Sequence, residues 1–127
     1  MIRVAKSVII QNGKILLLKR ASTSKFFPNL WDLPGGKLDS NENPETAVVR
    51  ETKEETNLDV ECGSLIGEYD LEELKEKIHF WVFSAEVLLG KIHLSADHTD
   101  YRWFFSEKIK NYKVTSIVQL VLKNLNL

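Results

Sequence analysis

The amino-acid sequence predicts an α/β fold, a mixed β-sheet covered by helices, and three features carry that expectation. Runs rich in Val, Ile and Leu at 3–11, 14–19 and 78–89 have the composition of strands. Asn43-Pro44 opens a helical stretch that closes at Asn57. Near the end of the chain Ile117, Leu120, Val121 and Leu125 recur at helical spacing, which makes 115–125 an amphipathic helix. Strands mixed with two helices are the pattern of a sheet that hides apolar faces under helices.

Each element has a local reason. Asn12-Gly13 joins the first two strands, and that dipeptide is a strong hairpin signal. The segment 21–31 holds Ser, Thr, Pro and Asn and reads as a loop, and Leu33-Pro34-Gly35-Gly36 reads as a turn. Asn43 is suited to the N-cap and Pro44 to the first helical position. Asn57 tolerates the left-handed conformation common just past a helix. The region 58–69 reads as a strand broken by Gly63 and Gly67, and the polar stretch 70–77 as a loop or short helical turn. Residues 78–89 are apolar on both alternating faces, which predicts a central strand covered on both sides. Residues 101–105 form a short aromatic strand.

Composition narrows the function classes. At 127 residues the chain has the length of a single domain, expected over 1–127. With a net charge of −1 it lacks the basic excess of a nucleic-acid coat or membrane-surface binder. The apolar run 15–18 falls far short of the ~20 residues that span a bilayer. Arg3 and Lys6 interrupt the first apolar stretch, so no signal peptide is expected. Cys62 is the single cysteine, and no Cys/His zinc spacing exists. A cytoplasmic domain is the expectation.

Charge is concentrated. Between 39 and 61 there are eight acids against Arg50 and Lys53. At 100° per residue, Ala47, Val48, Glu54 and Glu55 all fall within about 60° of Glu51 on the 44–56 helix. Three carboxylates therefore continue the apolar stripe that packs on the sheet, while Val49 and Lys53 point elsewhere. Like-charged neighbours at this spacing cost roughly 0.2–0.5 kcal/mol per pair, and burial makes the cost larger. Arg50 can serve one carboxylate but not three, and a divalent cation is the economical partner. Upstream, the backbone carbonyl of Gly36 is a further hard oxygen donor.

Gly36, then Glu42 after five residues, then after seven more Arg50-Glu51-Thr52-Lys53-Glu54-Glu55-Thr56-Asn57-Leu58, resembles the Nudix box, G-x5-E-x7-R-E-U-x-E-E-x-G-U with U aliphatic. Every charged position is matched. Thr52 stands where an aliphatic residue is usual, and Asn57 replaces the usual glycine. Trp31-x-Leu33-Pro34-Gly35-Gly36 and the strand layout extend the likeness over most of the chain.

The resemblance implies a mixed sheet sandwiched between helices (α/β/α) with a loop-helix-loop catalytic box. It also implies hydrolysis of a nucleoside diphosphate linked to another moiety, with Mg²⁺ or Mn²⁺. By the same likeness Gly36, Glu51, Glu54 and Glu55 hold the metal, Glu51 or Glu54 accepts a proton from water, and Arg50 orients a glutamate. Glu42 is given a supporting role. Arg20 and Lys37 are candidate phosphate contacts, and Asp97 and Asp100 candidate additional acids from a late loop. His79, His93 and His98 share no helical ligand spacing and read as structural. Trp31, Phe26, Trp81 and Phe83 read as core rather than base-stacking residues.

The small size and the Trp-x-Leu-Pro-Gly-Gly segment resemble the MutT-like group, which implies a (deoxy)nucleoside triphosphate cleaved to monophosphate and pyrophosphate. ADP-ribose or another nucleotide sugar is the alternative; the proline that often follows the box in ADP-ribose hydrolases is absent, since Pro28, Pro34 and Pro44 precede it or lie in it. A non-catalytic nucleotide- or RNA-binding module would be marked by lost box acids, and none is lost. The expected partner is a small nucleotide, with no nucleic-acid polymer and no membrane; monomer and homodimer both stay open.

Overall fold

The fold is organised around β1 (Ile2–Gln11), whose residues Val4 to Ile9 are buried on both faces. The computed structural model describes residues 1–125; residues 126 and 127, the end of the expected domain, lie outside the described residues. β1 runs parallel to β6 (Glu76–Leu89) from the Ile2↔Ile78 pair to Ile9↔Ala85, and β5 (Asp59–Glu73) lies antiparallel along the far side of β6. β4 (Gly35–Lys37) joins the other side of β1 antiparallel. At its end β1 turns through Asn12 and Gly13, both at positive φ, into β2 (Lys14–Arg20). β2 in turn carries β3 (Trp31–Asp32) and β7 (His98–Phe105). The order is β3-β2-β1-β6-β5, with β4 on β1 and β7 on β2, a mixed sheet as expected.

Helices cover both faces. α1 (Pro44–Thr56) packs Ala47 and Val48 on Ala5 and Phe83. α3 (Ser116–Asn124) packs Ile117, Val118 and Val121 on the opposite face, against Val8, Leu17, Phe80 and Val82. A short α2 (Ser106–Ile109) adds Ile109 to that core. Fully burying each such aliphatic side chain contributes about 1.5–3 kcal/mol, which explains why a strand clad on both sides anchors the rest. The arrangement is α/β/α. Among the described residues no helix is long and apolar enough to cross a membrane.

Several local expectations change. Gly35 to Lys37 form a strand rather than only a turn, because β1 offers them a ladder. Gly35 sits at φ +131°, and a side chain there would run into the backbone at Ala5 and Lys6. Gly63 and Gly67 lie at register shifts of β5 rather than at breaks: they mark bulges that the strand runs through. The stretch 70–77 is neither loop nor helical turn but the end of a long hairpin. Exposed Glu68, Asp70 and Glu72 alternate there with half-buried Tyr69 and Leu71, the period of a half-covered strand. β6 is central as expected, but its last residues, Leu88 and Leu89, are exposed.

The β5–β6 hairpin closes through Leu74 and Lys75, both at positive φ (50° and 64°) between the paired Glu73 and Glu76. Two residues at positive φ suit Asn-Gly far better than Leu-Lys. The double substitution L74N/K75G should stabilise the protein by about 1 kcal/mol, raising Tm by roughly 3–5 °C. Thermal unfolding followed by circular dichroism checks this; an unchanged or lower Tm contradicts the turn geometry.

Candidate functional site

Four elements build the site: β1, β4, α1 and the segment leading into β7. Asn43 caps α1 by accepting a hydrogen bond from the Thr46 amide, Pro44 takes the first helical position, and Asn57 closes the helix at φ 67°. The buried residues of α1 are Ala47, Val48, Thr52, Glu55 and Thr56. That face is turned relative to the sequence expectation, so Glu54 stands exposed instead of continuing the packed stripe. Thr52 and Thr56 belong to the packed face because their hydroxyls have partners. Thr52 Oγ1 lies 3.2 Å from Ser7 Oγ, and Thr56 Oγ1 donates to the Thr52 carbonyl at 2.6 Å.

The three glutamates find three environments. Glu51 lies against Gly36, so closely that a methyl group on that glycine would come 2.5 Å from Oε2. Burial pushes the Glu51 carboxyl up from its ordinary value against the pull of Arg50. Glu54 faces solvent. Glu55 turns inward, where Oε1 accepts from the Gly35 amide at 2.7 Å. Burial pushes its pKa up to about 8, although Lys6 and the Gly35 amide oppose the shift.

Arg50 binds more carboxylates than its count of neighbours on the helix suggests. Its Nε and Nη2 grip Glu42 at 2.8 Å each, Nη1 donates to Glu51 Oε1 at 2.9 Å and to Glu54 Oε1 at 3.1 Å, and Nη2 also reaches the Lys37 carbonyl at 3.0 Å. The expectation that Arg50 serves one of the three helix carboxylates is corrected to two: the planar fork has two edges and holds Glu51 and Glu54 as well as Glu42, with Asp39 Oδ2 3.5 Å from Nε, and leaves out Glu55. The Arg50 bonds, with the Asp39 amide behind them, pull the Glu42 carboxyl down to about 2.

Beneath the site lies a saturated polar floor that no sequence motif singles out. Lys6 Nζ donates to Asp32 Oδ2 and to the carbonyls of Leu33 and Gly35, at 3.0–3.2 Å. Asp32 also accepts from Arg20, the Leu33 amide and Thr115 Oγ1. Burial opposes ionisation of Asp32, but Lys6 and Arg20 hold its carboxyl below the usual range. The available signal was a lysine in the buried run Val4-Ala5-Lys6-Ser7-Val8, which demands a buried acid elsewhere.

A cavity of about 410 Å³ adjoins these residues. Gly36, Lys37, Glu55, Asp97 and His98 line it on the polar side, and Val4, Phe26, Phe27, Ile78, Phe80 and Ile117 on the apolar side. Of the candidate phosphate contacts, Lys37 lines the cavity with its chain exposed, whereas Arg20 lines it while bound to Asp32 and the Phe26 carbonyl. Asp97 lines the cavity, but Asp100 belongs to β7, pairs with Lys19 and accepts from the Tyr101 amide. The late-loop placement of Asp100 is thus corrected. Phe26 lines the cavity as well as touching the core, while Trp31 and Phe83 are core residues.

Among the described residues no three His, Cys, Asp or Glu side chains already converge as a metal-holding group. Yet the donor set next to Gly36 consists of carboxylate and carbonyl oxygens only, the chemistry that hard divalent cations take. The glycine leaves that side of Glu51 clear of a Cβ.

Comparison with known proteins places this geometry. The pattern of the NUDIX domain matches residues 1–123. A MutT-like protein of Streptomyces ambofaciens is 32% identical over 85% of the chain, which spans 66% of that protein's length. A CTP pyrophosphohydrolase of Escherichia coli is 29% identical over 88% of the chain and 82% of its own length. The crystal structure of a MutT protein from Methanosarcina mazei superimposes with a TM-score of 0.90 at 28% identity, covering 98% of this chain and 92% of that one.

Glu55 makes stability depend on pH in a definite direction. Up to about pH 8 folded Glu55 keeps its proton, whereas the unfolded chain loses it above about 4.3. The folded state then holds more protons than the unfolded state, so stability falls as pH rises toward 8 and levels beyond it. In chelator, wild type should lose about 1–2 kcal/mol relative to Glu55→Gln between pH 6.5 and 8. Urea unfolding at the two pH values measures this; parallel behaviour of the two proteins rules out a buried, proton-holding Glu55.

Proposed function

The chain belongs to the NUDIX domain family of hydrolases, and from that premise we propose that it cleaves a (deoxy)nucleoside triphosphate to the monophosphate and pyrophosphate. The observation that carries the reading is the meeting of Glu51 with Gly36 and of Glu55 with Gly35 beside a cavity large enough for a nucleoside. Support for a triphosphate comes from the likeness to the CTP pyrophosphohydrolase of Escherichia coli.

In this reading the Gly36 carbonyl with Glu51, Glu54 and Glu55 holds Mg²⁺ or Mn²⁺. Such a cation draws charge from phosphoryl oxygens and acidifies water when bound. Glu51 or Glu54 accepts the proton of the attacking water. Arg50 keeps those two carboxylates side by side, with its fork fixed by Glu42 and the Lys37 carbonyl. Lys37 meets phosphate from the cavity wall. Arg20 does so only by loosening its bond to Asp32. Asp97, on the same wall, is the additional acid; Asp100 is not. The apolar wall of Phe26, Phe80 and Ile117 takes the base by burial and stacking, and the partner is a small nucleotide rather than a polymer.

Incubation with Mg²⁺ and a nucleotide panel, with both products identified, tests this. Pyrophosphate and a monophosphate from at least one triphosphate are expected; cleavage of ADP-ribose alone overturns the substrate assignment. Glu54→Gln should lower kcat by roughly 10²–10⁴-fold while leaving Tm within about 1 °C, since this side chain is exposed. Millimolar Mg²⁺ should raise the wild-type Tm, and Glu51→Gln should blunt the rise.

A further inference from the structure

We propose that His98 is a positioning residue, whose ring Nε2–H steadies Glu55 Oε2, the carboxylate oxygen that the Gly35 amide does not hold. The inference rests on the proposed role of Glu55 in holding a divalent cation.

The backbone brings His98 there deliberately. The segment before β7 follows the end of α1, with the His93 amide donating to the Thr56 carbonyl and the Ser95 amide to the Glu55 carbonyl. The His98 amide then donates to the Ser95 carbonyl, closing a turn. Where β7 begins, the ladder with β2 slips: Lys19 pairs with Asp100 but Arg20 pairs with His98. A bulge of this kind re-aims a side chain. Thr99 and Asp100 stay exposed while His98 turns in, its side chain only 2% accessible.

Once inside, the ring has no protein hydrogen-bond partner at Nδ1 or Nε2 among the described residues. Unpaired polar atoms in a buried ring are costly, and an apolar side chain would fill the same space without that cost. The nearest carboxylate is the one at issue, with Glu55 Oε2 at 4.0 Å from Nε2. Glu55 Oε1 is already fixed by the Gly35 amide, so the remaining freedom of the carboxylate is the swing of Oε2. A small rotation of either side chain turns the 4.0 Å approach into a hydrogen bond and removes that swing. Groups behind a metal-holding carboxylate that fix its orientation typically change metal affinity by 10–100-fold.

Three substitutions separate positioning from packing. His98→Phe keeps the ring volume without a donor, His98→Gln places an amide nitrogen near Nε2, and His98→Asn places one near Nδ1. The readout is the Mg²⁺ concentration giving half of the Tm shift, with no nucleotide present. His98→Phe should need roughly 10-fold more Mg²⁺, His98→Gln should return to within about 3-fold of wild type, and His98→Asn should not. An unchanged Mg²⁺ midpoint in His98→Phe, even with a lower Tm, overturns the proposal, as does equal rescue by Asn and Gln. A raised KM for nucleotide with unchanged kcat and Mg²⁺ midpoint also overturns it, since the ring then reads substrate. Independently, long-range ¹H–¹⁵N correlation spectra of wild type in chelator at about pH 9, where Glu55 is ionised, should show the Nε2-protonated tautomer, and the Nδ1-protonated form overturns the inference. That spectrum decides the matter if His98→Phe does not fold or if wild type shows no Mg²⁺ response. The latter result would sink the proposed function, whereas Mg²⁺ binding without nucleotide cleavage would sink only the substrate reading.

Discussion

The seating of α1 on β1 and β4 is the constraint on which the rest of the molecule depends. Ala47, Val48, Thr52 and Thr56 are wholly excluded from solvent, and together they set the rotation of the helix about its axis. Positions 48, 52, 55 and 56 share one helical face, so a chain that buries Val48 and Thr52 carries Glu55 in with them. The Ser7–Thr52 hydroxyl contact locks the register between helix and strand. It also shows why a threonine serves where an aliphatic side chain is usual: the hydroxyl is satisfied, so its burial carries no desolvation penalty left open. The apolar contacts stabilise the assembly by enough to absorb one poorly compensated carboxylate. The position of Glu51 against Gly36 then follows from the same rotation rather than from any attraction of its own.

Charge is divided around that seam in an orderly way. Outside it, Arg50 gathers Glu42, Glu51 and Glu54; inside it, Lys6 and Arg20 gather Asp32. Lys6 has three protons to give and gives them to Asp32 and two carbonyls. Asp32 receives from Lys6, Arg20, Thr115 and the Leu33 amide. A buried ion pair is a weak source of stability, because desolvation offsets most of the attraction, but losing one partner leaves the other charge stranded at a cost of about 3–5 kcal/mol. The floor is therefore stiff and chemically spent. It ties β1, β3, β4 and the start of α3 together and leaves recognition to the cavity walls. Glu55 and His98, buried polar side chains with hydrogen-bonding capacity to spare, lie on one of those walls.

Much of this was legible in the amino-acid sequence because it is encoded locally. The Asn12-Gly13 turn, the Asn43-Pro44 cap and the Asn57 stop depend on neighbours in the chain, and the fold places them as expected. What escaped depends on partners far away. The stretch 70–77 is polar enough to read as a loop, and becomes strand because β6 returns against it. The Lys6–Asp32 pair joins residues 26 apart, and only the buried setting of the lysine hinted at it. The rotation of α1 differs from the sequence expectation for a similar reason. Hydrophobicity alone sets Thr52 and Thr56 aside, whereas hydroxyls with partners on β1 and on the helix backbone belong to the packed face. His98 is aimed inward by a slip in the β2–β7 ladder, which no single-residue preference records.

The Arg50 contacts also show how a crowded group of acids stays both ordered and exchangeable. Nε and Nη2 are committed to Glu42, with the Lys37 carbonyl as a further acceptor, while Nη1 alone is shared by Glu51 and Glu54. A bidentate pair fixes the guanidinium plane, so contacts on the remaining nitrogen can be given up without loosening the side chain. Glu54 is solvent-exposed and loses little by leaving Nη1, since water replaces the bond at small net cost. Glu51 is half-buried, and leaving Nη1 is harder unless another positive group takes its place. The two carboxylates on one nitrogen therefore differ in how readily they move, with Glu54 free to move first and Glu51 held until a replacement charge arrives. Glu42 is the acid that makes this possible, because its two bonds keep the arginine in place while the contacts at Nη1 change.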